Sequence, residues 1–217
     1  MIEVKNIHKS YGNLEVLKGI NITINKRELV AITGASGAGK TTLLQIMGGL
    51  EKPDTGEVLI NEKNIFNLSA KNTAKFRNSQ IGFIFQFHYL LPEFSILENI
   101  MLPALIGGVS KKNAAERARE LLSFLGLQER ENHRPSEISG GESQRVAVAR
   151  AIINNPPVVF ADEPSGNLDT KNAVALHELF FSLREKYEQT FVIVTHNDHL
   201  AKMSDRKITM KDGTVTS

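Results

Sequence analysis

The chain has 217 residues, of which 41% are hydrophobic and 23% charged, a composition that fits one compact domain with a real core and excludes a disordered or fibrous chain. Its formal net charge of +2 is too mild to point to a polyanion, so no nucleic-acid partner is expected. Cysteine is absent, no apolar run approaches the roughly 18 residues a membrane span needs, and the opening "MIEVKNIHKSYG" lacks a signal core, so a cytoplasmic protein that does not itself cross a membrane is expected.

The opening reads as β structure. In "GINITIN", Ile20, Ile22 and Ile24 alternate with Asn21, Thr23 and Asn25, the period of a strand with one dry face. A turn at Asn25 to Arg27 leads into "ELVAIT", apolar on consecutive positions as a strand covered on both faces should be. The glycine-rich "GASGAGKTTLLQIMGGL" then turns into a helix. From Lys111 to Leu127 a helical stripe carries Ala114, Ala118, Leu121, Leu122 and Leu125, with Gly126 as a stop signal. A second helix is expected from Glu142 to Asn154, ending before Pro156 and Pro157. Two short apolar strands follow, "VVFAD" and "TFVIVTH", separated by an amphipathic helix from Asn172 to Tyr187. The chain shows no repeat, low-complexity tract or linker.

Residues Gly34, Ala35, Ser36, Gly37, Ala38, Gly39, Lys40 and Thr41 fit the phosphate-loop pattern G-x-x-x-x-G-K-[ST], placed between an expected strand and helix. Glycines let backbone N–H groups face a phosphate, and the helix start adds partial positive charge. Lys40 is suited to the β and γ phosphates, and the Thr41 hydroxyl to Mg²⁺. "VVFADEP" places Asp162 at a strand end, where a carboxylate can hold the Mg²⁺ shell, and Glu163 beside it as a base for attacking water. The plainer reading, an acidic residue and proline opening a loop, loses weight beside a phosphate loop. His196 follows a strand of the same kind and is a candidate γ-phosphate contact, whereas His8, His88, His133, His177 and His199 are taken as structural or surface residues.

"ISGGESQRVAVARA" contains an S-x-x-E capping box, Ser139 to Glu142, at a helix start. Capping gives no reason for Gly140 and Gly141 in the first turn, where each glycine costs about 1 kcal/mol against alanine. Bare backbone there suggests close approach to an anion, and since the first loop already wraps the phosphates, the second start is expected to serve ATP bound to another copy.

Taken in order, Tyr11, "GASGAGKTT", Gln86, "ISGGESQR", "VVFADEP", "SGNLD" and His196 span essentially the whole chain, and the set resembles the ATPase subunits of ABC transporters. The resemblance implies an α/β fold, a P-loop NTPase of the ABC ATPase type, with a mixed sheet core, an N-terminal antiparallel β-subdomain and a helical subdomain. It implies one domain over 1–217, with residues 1–85 and 156–217 as nucleotide-binding core and 86–155 as helical subdomain. It implies ATP and Mg²⁺ as cofactors, with Tyr11 stacked on adenine, Thr42 completing the phosphate loop, and Ser139, Gly140, Gly141 and Glu142 meeting the partner's ATP. Glu163 is implied as catalytic base, His196 as switch, Lys40 as phosphate contact, Asp169 as dimer contact, and Gln86 as a hinge residue that joins Thr41 and Asp162 at the metal.

Within the family, "QFHYLLPEFSILENI", "NHRPSEISGGE", "ADEPSGNLD" and "MSDRKITMKDG" are similar to ATPases of lipoprotein-releasing transporters. That likeness implies a homodimer on ATP binding, two membrane permease subunits docking near Phe87–Leu102, and a peripheral position on the cytoplasmic face of the inner membrane. Macrolide and peptide exporters and cell-division complexes share much of the pattern. Ile138, Ser143 and Ser165 depart from the usual leucine, arginine or glutamine, and threonine, and none of these changes removes a phosphate ligand. A soluble ABC ATPase acting on nucleic acid is the alternative from another class; Phe87–Leu102 contains no lysine or arginine to serve one. About half of that apolar stretch is expected in the helical core and the rest in a seat for a membrane subunit.

Overall fold

In the computed structural model, which describes residues 1–216, the isoleucine alternation becomes the long second strand. The elements run β1 (Ile2–Tyr11), β2 (Leu14–Ile24), β3 (Leu29–Gly34), α1 (Lys40–Met47), β4 (Thr55–Ile60), β5 (Lys63–Asn64), α2 (Ala70–Gln80), β6 (Ile81–Phe85), α3 (Ile96–Ile106) and α4 (Lys111–Phe124). They continue with α5 (Gly140–Ile152), β7 (Val158–Asp162), α6 (Thr170–Tyr187), β8 (Thr190–Val194), α7 (Asp198–Met203), β9 (Arg206–Lys211) and β10 (Thr214–Val215).

Two sheets form. An antiparallel one has the order β2-β1-β4-β5, and a mixed one the order β10-β9-β3-β8-β7-β6, parallel except for β10. The central strands β3, β7 and β8 are buried on both faces because apolar residues follow one another along them, as the "ELVAIT" run predicts. Val30, Ile32, Val158, Phe160, Val192 and Val194 pack toward α1 and the antiparallel sheet. Their alternates Leu29, Val159, Ala161, Phe191 and Ile193 pack toward α3, α4, α5 and α6.

The expected helices are present with adjusted ends. The first runs from Lys111 to Phe124, with Gly126 beyond it at φ 67°, and the second starts at Gly140, two residues earlier than its apolar pattern suggests, because Ser139 caps it. The third begins at Thr170 behind the cap of Asp169. The strand drawn through "TFVIVTH" ends at Val194, although Thr195 still donates from its N–H to the Ile32 carbonyl at 3.1 Å.

Two buried polar side chains fix the loops around the sheet. Asn99 on α3 is fully buried; its Oδ1 accepts from the Leu91 N–H at 2.8 Å, and its Nδ2 reaches the carbonyls of Leu91, Phe94 and Ser95. That one amide replaces water for the whole Leu91–Ser95 turn. His177 on α6 is buried with Nε2 3.1 Å from the Ser165 hydroxyl, and burial, helped by neighbouring His199, pushes its pKa down to about 4.

Replacing Asn99 by leucine strands these backbone groups and is expected to cost about 2 to 4 kcal/mol, read from the urea midpoint. His177 binds a proton more readily unfolded than folded, so its contribution is complete above about pH 6.5 and is lost as pH falls toward 4. Between pH 7 and pH 5 the native chain should therefore lose more stability than His177→Leu in chemical denaturation; equal slopes would contradict the neutral, buried imidazole.

Candidate active site

The parallel strands end level. Phe85 lies opposite Asp162, Asp162 opposite Val194, and Val194 opposite Ile32, so the residues just beyond them emerge along one edge. Open parallel sheets bind ligands at this edge. Between the edge and the tip of β2 lies a cavity of about 350 Å³, lined by Ser36, Gly37, Gly39, Lys40, Thr41 and Thr42 together with Leu14, Val16, Glu163 and His196.

Gly39 caps α1 in the left-handed region, φ 92°, and a Cβ there would press on Leu17 and Val16, so glycine is required. Lys40 is buried, and its Nζ donates to the carbonyls of Gly34 and Ala35 at 2.9 Å each. Burial lowers its pKa, opposed by the carboxylates of Glu163 and Asp162. Ala38 is buried and donates its N–H to Ala35, closing the loop.

Thr41 Oγ1 donates to Asp162 Oδ1 at 3.1 Å, which brings a hydroxyl and a carboxylate from different elements to one point. Burial raises the Asp162 pKa, against the Thr41 hydrogen bond and the Lys40 charge. These two hard oxygens fit Mg²⁺, which keeps water and phosphate oxygens for most of its shell. Among the described residues no group of three or more His, Cys, Asp or Glu side chains offers an alternative metal cage.

Glu163 adopts φ 45°, an uncommon conformation for a side-chain-bearing residue that turns the chain sharply after β7. Its N–H donates to the Val194 carbonyl, its Oε2 accepts from the His196 N–H at 3.2 Å, and His196 Nε2 stands 3.1 Å from Oε1. Burial raises the Glu163 pKa, while His196 and Lys40 pull it down. A carboxylate so placed is a better proton acceptor than a solvated one.

Gln86 sits next to this group but is turned away from it. Its Nε2 donates to Asn167 Oδ1 at 3.1 Å, so in this state it does not join Thr41 and Asp162. Tyr11 is exposed at the end of β1, its hydroxyl donating to Glu51 at 2.6 Å; Leu14 and Val16, which the sequence reading passed over, form the apolar wall nearer the phosphate loop.

Ser139, Gly140, Gly141 and Glu142 form the start of α5 and do not line the cavity. Glu142 accepts from the Ser139 N–H and hydroxyl through Oε2 and from Arg130 through Oε1, and these bonds hold its carboxyl down at about 2. Its oxygens are therefore engaged in bracing the helix start. Gly141 is explained locally: a Cβ would meet the Asn172 amide at 2.8 Å, and Asn172 in turn donates to Asp169. Gly140 has open space before it and no neighbour to explain it.

The family model described as ABC transporter matches residues 17–166. The lipoprotein-releasing system ATP-binding protein LolD of Bacteroides thetaiotaomicron is 60% identical over 215 residues, covering 99% of both chains. LolD of Cytophaga hutchinsonii is 57% identical over 99% of this chain and 98% of its own. The dimeric, post-hydrolysis structure of the ATP-binding cassette MJ0796 with ADP and Pi superimposes with a TM-score of 0.92 at 39% identity, over 100% of this chain and 97% of that one. The phosphate loop, the Thr41–Asp162 contact and the turned Glu163 agree with these likenesses, and the chain belongs to the ABC transporter family as an ATP-hydrolysing subunit.

Proposed function

We propose that two copies of this ATPase close around two ATP molecules and drive the membrane subunits of a lipoprotein-releasing transporter, with partners of the LolC and LolE kind. The observation that carries the two-copy reading is the start of α5: an unhindered Gly140 stands in the first turn behind the Ser139 cap, outside the chain's own cavity. A helix start is suited to an anion, and the anion available is the partner's γ-phosphate. The relatives named LolD support the cargo, and the dimeric cassette bound to ADP and Pi supports the assembly.

In this reading Lys40 and the phosphate-loop N–H groups bind the phosphates, and Tyr11 stacks on adenine. Thr41, Asp162 and Gln86 would hold Mg²⁺, which would neutralise phosphate charge when bound. Glu163 takes the proton of the attacking water and aligns it in line, and His196 reports the γ-phosphate to the β8–α7 turn. Closure adds the partner's Ser139 and Gly141 and excludes water, which strengthens each of these contacts.

The stretch after Gln86 divides as a docking segment would. Ile96, Ile100 and Met101 are buried in the helical core, whereas Phe87 and Tyr89 are 60% and 65% exposed and Leu91 and Phe94 stand at the surface. Next to them a groove of about 370 Å³ runs between Leu50, Phe83, Phe85, Pro103 and Arg150. An apolar helix of a membrane subunit fits this surface, which gives the ATPase a peripheral place on the cytoplasmic face of the inner membrane.

Glu163→Gln should retain ATP binding, trap an ATP-dependent dimer in sedimentation, and lower turnover by about 10³-fold, within the range for loss of a general base; unchanged hydrolysis would remove Glu163 from that role. Charge placed at Leu91 or Phe94, as Leu91→Glu or Phe94→Glu, should abolish copurification with the membrane subunits while basal hydrolysis continues. Retained complex formation would move the docking surface elsewhere.

A further inference from the structure

The turn that follows Glu163 is built as a fixed post. Gly166 donates its N–H to the Glu163 carbonyl at 3.0 Å, Leu168 donates to Ser165 at 3.1 Å, and Ser165 is itself buried against His177 on α6. Asn167 projects from this post toward β6. It meets Gln86 in a two-way amide contact: Gln86 Nε2 donates to Asn167 Oδ1 at 3.1 Å, and Asn167 Nδ2 donates back to the Gln86 carbonyl at 3.3 Å. The fit is close, because a Cβ on Gly166 would lie 2.9 Å from Gln86 Nε2.

The same glutamine follows Phe85, which is paired with Asp162, so its backbone already stands beside the metal-side carboxylate. Only the side chain is directed elsewhere. We propose that Asn167 is a positioning residue that holds Gln86 away from the Thr41–Asp162 position until nucleotide and cation arrive together. This rests on the reading of Gln86 as a ligand of that cation.

The consequence follows from population shift. A ligand that needs Gln86 released binds with its intrinsic affinity reduced by the fraction of molecules in which the amide pair is open. One neutral hydrogen bond, modest in net strength, holds the Gln86 side chain, and the second, to the Gln86 backbone carbonyl, keeps Asn167 in place to accept it. Nucleotide lacking the cation does not need Gln86, so its binding is blind to the latch. Asn167 thereby lowers the affinity of the metal-complexed nucleotide alone, so that part of its binding energy goes into turning Gln86 toward the cation.

The test is the affinity of the isolated subunit for a non-hydrolysable ATP analogue, measured by calorimetry with Mg²⁺ and with EDTA. Asn167→Ala should bind the analogue about three- to tenfold more tightly with Mg²⁺ and unchanged with EDTA. In a Gln86→Ala chain the same substitution should have no effect, since there is nothing to hold. A merely structural asparagine predicts the opposite: weaker or equal binding, with the same change whether or not Gln86 is present, and that result overturns the proposal. If Gln86→Ala alone leaves Mg²⁺-dependent affinity unaltered, the ligand reading of Gln86 fails and the latch fails with it. If Gln86→Ala weakens it and Asn167→Ala brings no gain, the latch alone is wrong.

Discussion

Everything chemical in this protein depends on one line of parallel pairing across the mixed sheet, Phe85–Asp162–Val194–Ile32. Backbone hydrogen bonds hold the four strand ends level, and the side-chain period of two leaves no freedom to slip, since a one-residue shift would exchange the faces of strands that are packed on both sides. From that line the chain emits Gln86, Asp162 and Glu163, His196, and the phosphate loop within reach of one another. The loop itself is short and glycine-rich; what aims it is β3 behind it and α1 ahead of it.

In the two-copy reading, that edge supplies only part of an ATP site. The start of α5 belongs to the helical layer, and side chains around it hold it rigid: Glu142 is engaged by Ser139 and Arg130, and Asn172 of α6, held by Asp169, packs over Gly141. Ten residues further on, about 15 Å along the helix axis, Arg150 donates to the carbonyls of His88 and Tyr89 at 2.6 and 2.7 Å. This guanidinium is buried enough that its pKa is lowered and it has no acidic partner among the described residues, so its bonds to the loop are the main satisfaction of its charge. In the two-copy reading one helix thus carries the backbone offered to a second copy at one end and grips the exposed aromatic stretch at the other. Asn99 fixes the far side of that stretch.

The sequence made this plan readable where chemistry and periodicity coincide. β3, β7 and β8 announce themselves as apolar runs, and the residues that end them are the ones that line or adjoin the cavity. β6 is not among the expected strands: "IGFIF" is interrupted by Gly82 and runs on into the apolar stretch after Gln86, so no local pattern places Gln86 just past the end of a strand. α3 is apolar nearly all round, follows Pro92 and carries Pro103 inside it, which masks a helical stripe, although the Ser95–Glu98 capping box is in plain view. α2 buries only Phe76 and has no stripe to detect. Leu14, Val16, Asn167 and Arg150 owe their importance to partners distant in sequence, such as Gln86 for Asn167, and no local pattern marks them. Glu142 shows the converse case, a motif residue whose Oε2 caps the helix start while Arg130 takes its Oε1.

The central claim is that the site is completed by a second copy, with residue 36 of one protomer facing residue 139 of the other. The chain has no cysteine, so a Ser36→Cys, Ser139→Cys chain that also carries Glu163→Gln offers only those two thiols to a short bis-maleimide. The account predicts an ATP-dependent dimer in which peptide mapping joins 36 of one protomer to 139 of its partner. A product that forms equally without ATP, or that links 36 to 139 only within one chain, would contradict it.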